Sequence, residues 1–115
     1  RNRDKSKYSY DLGDNYSDRD VFEIIYSYDF VEENLMEMVR VAGNFHYSEG
    51  WLPSVYELID MKRLGLDKAF LDYWSIDVDW RIGEGGDLYG YIYGHSKEGE
   101  FSFNISSRSL EYYKY

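Results

Sequence analysis

The chain has no cysteine. That excludes disulfides, thiolate metal ligands and a cysteine nucleophile. It leaves the compartment open, because a cysteine-free chain suits both the cytoplasm and a simple exported protein. Proline occurs once, at Pro53, and histidine only at His46 and His95. His46 with Glu49 lacks the second histidine of a zinc motif. Phosphate-cradling glycine loops and nucleophile elbows are missing as well. No apolar run approaches the roughly 20 residues that cross a bilayer, and no secretory-signal pattern occurs. Basic residues are scarce, with 13 Lys and Arg against 22 Asp and Glu and a formal charge of −9. Phosphate backbones and anionic membranes repel such a surface, so no direct nucleic-acid or membrane binding is expected of this segment. No catalytic, cofactor-binding or metal-ligating set emerges, and the chain reads as non-enzymatic.

Aromatic residues are plentiful by contrast. The 115 residues are 43% hydrophobic and 20% aromatic, too rich for a disordered polypeptide and enough for one core. Tyrosine leads with 14 copies against 6 Phe and 3 Trp. Its ring fills a core and its hydroxyl tolerates water, so the count does not place these residues.

Residues 1–17 are polar and non-periodic and read as an N-terminal arm. Residues 18–115 read as a single α+β domain. The opening RNRDKSK starts at Arg1. It reads as the cut edge of a longer product, following a removed anchor or signal; leading residues left off the sequence explain it equally well. The expected compartment is left open: cytoplasmic, or exported or periplasmic if residues ahead of Arg1 carry a signal or anchor.

Ser17 with Asp20 resembles a capping box. Beyond it Val21, Ile24, Ile25, Tyr28, Val31, Leu35, Val39 and Ala42 recur at helical spacing and predict one long helix over 18–47. Gly50 and Pro53 end it. Ser54 with Glu57 forms a capping box and predicts a short helix over 54–64 that stops at Gly65. From Trp74 to Ile82 the pattern alternates strictly, which predicts a strand. Residues 88–95 and 101–105 predict two more, and LEYYKY at the C-terminus offers a fourth. The expected architecture is a long N-terminal helix plus a short one, packed on a three- to four-stranded antiparallel meander.

Two surfaces are candidates for recognition. On the long helix, Asp29, Glu33 and Glu37 fall on one side, with Tyr26 and Phe30 between them. Like charges at i,i+4 cost a helix a few tenths of a kcal/mol per pair. Aromatic anchors ringed by acids suit a partner rich in Arg and Lys. The plainer reading is a solvated helix face. On the sheet, alternation places Asp77, Asp79, Tyr89, Tyr91 and Tyr93 with Ser102 and Asn104 on the face turned from the helix. Tyrosine gives rigid contact area at low entropic cost. The plainer reading is that tyrosines are simply good strand residues. Asp77 and Asp79 lack the further ligands of a calcium loop.

Val41–Leu58 (VAGNFHYSEGWLPSVYEL) resembles the helix end of the type IV pilin and pseudopilin family, on Phe45, Tyr47, Gly50, Pro53 and Leu58. The resemblance implies a long helix, a connecting segment and an antiparallel meander, with those five residues in structural roles. The composition, for its part, predicts a small acidic protein-binding module of inhibitor, immunity or nucleic-acid-mimic type. It docks a basic protein partner through carboxylates and tyrosines. The alternative is an exported or membrane-anchored pilin-like structural subunit. A homo-oligomer is compatible with either.

Overall fold

A computed structural model describes residues 23–65 and 68–115. The arm at 1–17, the Ser17–Asp20 capping pair and residues 18–22 of the expected helix lie outside them.

Ser27 decides where the long helix begins. Its backbone is extended (φ −66°, ψ 140°) and its side chain accepts the Phe30 N–H at 3.2 Å. That is an N-cap. Helix α1 follows as Tyr28–Glu49, while residues 23–26 make a separate helical turn. The expectation of one continuous helix over 18–47 is thus corrected. Part of the cause is tertiary. The buried Trp74 indole donates to the Ile25 carbonyl at 3.3 Å, an acceptor that an uninterrupted helix would reserve for residue 29. Helix α1 ends where Gly50 turns left-handed (φ 83°) and returns its N–H to the His46 carbonyl at 2.8 Å.

The capping box at Ser54 forms in both directions and opens helix α2, Val55–Asp60. This helix stops short of Gly65. Lys62 takes the left-handed conformation (φ 56°). Its N–H bonds to Ile59 O, and that of Arg63 to Leu58 O, each at 2.9 Å. This is the paired bonding of a Schellman terminus, without its usual glycine. A further short helix, α3, spans Lys68–Tyr73.

Four strands complete the fold: β1 Ser75–Ile82, β2 Leu88–His95, β3 Gly99–Asn104 and β4 Ser109–Lys114. They pair antiparallel in chain order, as the alternation predicts. Helix α1 lies against β2, and α3 against β1. Between them Val31, Leu35, Met38, Ala42 and Phe45 meet Ile76, Ile92, Phe101 and Phe103, all buried together with Trp74. Burying a side chain of this size stabilises by about 1.5–3 kcal/mol. Val78 and Trp80, which the alternation puts on the same face as Ile76, are only half-buried. The Trp80 indole instead donates to the Pro53 carbonyl at 3.2 Å.

Candidate functional site

The open face of the sheet is assembled by register. Asp79, Tyr91, Asn104 and Ser109 form one row across all four strands. The next row is Asp77, Tyr93, Ser102 and Glu111, and the one after is Ser75, His95, Glu100 and Tyr113. Arg81 pairs with Tyr89 at the far end. Side chains on one strand face alternate with period two, so all these residues point away from α1. Tyr89 and Tyr91 are each 41% exposed and Tyr93 is 36% exposed. Their rings are reachable from solvent, which an element packed over them would prevent.

The tyrosines are ordered by their neighbours. The Tyr91 and Tyr93 rings are parallel within 10°, with centroids 5.8 Å apart. Asn104 donates to the Tyr91 hydroxyl at 3.1 Å. Ring orientation is thus set before any partner arrives, which reduces the ordering cost of binding. Beside Tyr93, a concavity of about 290 Å³ is lined by His95, Glu100, Phe101, Ser102 and Tyr113.

Charge on this face is mainly negative. Asp77, Asp79, Glu100 and Glu111 stand against Arg81. Arg81 contacts Asp79 at 3.2 Å, and Glu100 contacts His95 at 3.1 Å and accepts the Tyr115 hydroxyl at 3.3 Å. The Asp77 and Glu111 carboxylates have no hydrogen-bond or ion-pair partner among the described residues. An exposed pair such as Arg81–Asp79 contributes at most about 1 kcal/mol. It therefore does not hold either side chain against a competing partner.

The acidic face of α1 is different from the expectation. Asp29 is exposed and Glu33 and Glu37 are half-exposed. Glu37 is engaged by Arg40, whose Nε donates to Glu37 Oε1 at 2.9 Å and whose Nη2 meets Glu37 Oε2. The two aromatic residues placed on this face turn inward. Phe30 is 2% exposed and packs edge-on against Phe70. Tyr26 is 8% exposed, bonds to Ser96 Oγ through its hydroxyl and sits edge-on to Trp74. The buried stripe is wider and turned toward Phe30 relative to the expected one, with Val31, Leu35 and Ala42 common to both. The observed stripe runs through Phe30, Val31, Asn34, Leu35, Met38, Ala42 and Phe45.

The five sheet candidates are therefore brought together, and the helix set is split. Sequence reasoning left Glu111 and Tyr113 unassigned. The signal was present in the alternation of Ser109, Glu111 and Tyr113 along the offered fourth strand. Among the described residues, no group of three His, Asp or Glu side chains is placed to hold a metal ion. No described helix is long and apolar enough to cross a membrane. Of the residues that carry the pilin-like resemblance, Phe45 is buried with its ring edge-on to Trp51 at 4.9 Å, Gly50 caps α1 and Leu58 is buried in α2.

Comparisons with protein-family models, curated proteins and solved structures return no match.

Proposed function

We propose that this protein is a small, non-enzymatic binding module whose open sheet face docks a basic protein. The observation that carries the reading is the register. It gathers Asp77, Asp79, Tyr89, Tyr91 and Tyr93 on one exposed surface, with the tyrosine rings oriented in advance. Carboxylates steer the approach of a positively charged groove, and the tyrosines supply the contact area that holds it. This is the surface logic of inhibitors, immunity proteins and nucleic-acid mimics. The helix face is the weaker choice because its aromatic residues are in the core.

Capture from the native host tests the reading, with bound proteins identified at about 0.05 M and 1 M salt, where the Debye length falls from well over 10 Å to about 3 Å. A basic protein is expected, held less firmly at high salt. Tyr91→Ala/Tyr93→Ala is expected to weaken capture by about tenfold or more, while Glu33→Lys/Glu37→Lys leaves it nearly unchanged. The reverse pattern would move the site to α1. A second reading, a pilin-like structural subunit, is supported by the order of long helix, connecting segment and meander. Self-association in sedimentation, absent a partner, favours that subunit.

A further inference from the structure

Strand β1 is the edge of the sheet among the described residues. In an antiparallel pair, alternate residues turn both backbone groups toward the neighbour or both away. The Asp79 carbonyl faces β2, 2.1 Å from where a Gly90 Cβ would sit, and the Gly90 carbonyl turns the other way, to Ile105 N at 2.9 Å. The Tyr56 hydroxyl donates to the Ile76 carbonyl at 3.2 Å. Ile76 and Val78 therefore aim their N–H and C=O groups outward, and Asp77 and Asp79 spend theirs on Tyr93 and Tyr91. The Val78 groups have no partner among the described residues. Alongside them runs a groove of about 390 Å³, bounded by the start of α2 and by β1. Its walls include Leu52, Pro53, Val55 and Trp80, its charged members are Glu57 and Asp77, and none of the described residues lining it is a lysine or arginine.

We infer that this edge accepts an extended basic segment of the partner as a fifth strand. The inference rests on the docking reading above and narrows it to one edge and one peptide pattern. Backbone pairing with Val78 gives the affinity, and side-chain alternation gives the selectivity. On the outer side of β1, Asp77 and Asp79 occupy the non-hydrogen-bonded positions, where facing side chains come closest. Lysine or arginine at every second position of the incoming strand then faces those carboxylates, and the residues between face the apolar wall of the groove. A second copy of this chain is a poor occupant, because antiparallel self-pairing of the edge sets Asp77 and Asp79 against the same carboxylates.

Isothermal titration of the full chain with two six-residue peptides tests this. One alternates lysine and valine; the other has the same composition with the lysines in one block. The alternating peptide is expected to bind at least tenfold more tightly. Methylating its pairing backbone nitrogens, or making Val78→Pro, is expected to cost a similar factor. Proline is tolerated at an outward-facing edge position, so Val78→Pro keeps the internal ladder. The methylated peptide keeps the test intact if that variant does not fold. Equal binding of the two peptides, or indifference to methylation, overturns the inference. If a basic protein is captured normally by Val78→Pro, the edge is wrong while the docking face stands. If none is captured by the unsubstituted chain, the docking reading fails by itself.

Discussion

Gly94 and Phe101 face each other across β2 and β3, and the Phe101 ring lies so close over Gly94 that a Cβ there would sit 2.1 Å from its Cε2. The ring has no room to retreat. It is 2% exposed, edge-on to Trp74 at 4.9 Å and edge-on to Tyr112 at 6.4 Å. Gly94→Ala should therefore destabilise by about 1–3 kcal/mol, the usual cost of overpacking a core. Urea unfolding followed by circular dichroism measures it; an unshifted midpoint refutes the contact.

Asn34 is fully buried, and its Nδ2 donates to the Phe30 carbonyl at 2.8 Å. Its Oδ1 has no partner among the described residues. A buried acceptor left unpaired costs about 1–3 kcal/mol. Asn34→Leu removes the orphan atom and fills similar space, so stability should rise by about 1 kcal/mol. The denaturation midpoint should increase with its slope unchanged. A lower midpoint would mean that the side-chain bond to Phe30 outweighs the orphan oxygen.

Lys62 closes α2 in a conformation that costs a non-glycine residue about 1–2 kcal/mol. Lys62→Gly relieves that strain, and the entropy lost by glycine on folding offsets part of the gain. A net stabilisation of about 0.5–1 kcal/mol is expected. Gly65, where the sequence places the stop, has open space around its Cα and no left-handed backbone. Gly65→Ala should shift the thermal midpoint little or slightly upward. A larger loss at Gly65 than gain at Lys62 would contradict the assignment of the helix end.

Alkali should unfold the protein through its half-buried phenols. Burial pushes the Tyr112 hydroxyl well above its usual range, aided by the nearby Tyr28, Tyr26 and Glu32. Partial burial and a hydrogen bond to Glu98 do the same to Tyr73. A raised folded-state value means that the unfolded chain releases its proton first. The stability contributed by these neutral phenols is complete below about pH 10 and declines as pH rises above it. Thermal melts at pH 8 and pH 11 should show that decline, and Tyr112→Phe should make it shallower. An identical slope in the variant would remove Tyr112 from the account.

The sheet was legible in the sequence. From Trp74 to Ile82 every second residue is apolar, and the same holds for Phe101, Phe103 and Ile105. That alternation places Asp77, Asp79 and the tyrosines on a common face. The helix was less legible. Ser27 fits a helix interior at a cost of a few tenths of a kcal/mol and fits an N-cap at a gain of about 1. Local energies that close do not announce a break. Phe30, at the border of the apolar stripe, reads as an exposed anchor and is core because Phe70, 40 positions on, packs against it.

The sequence by itself determined which side chains share a sheet face, because strand alternation is a property of the backbone and needs no neighbour. Tertiary structure decided where the long helix starts, which stripe of it is buried and which sheet face stays open. The Trp74 indole, 49 residues away from Ile25 along the chain, takes a carbonyl that the helix would have used. A contact of that reach arises only when the chain is folded.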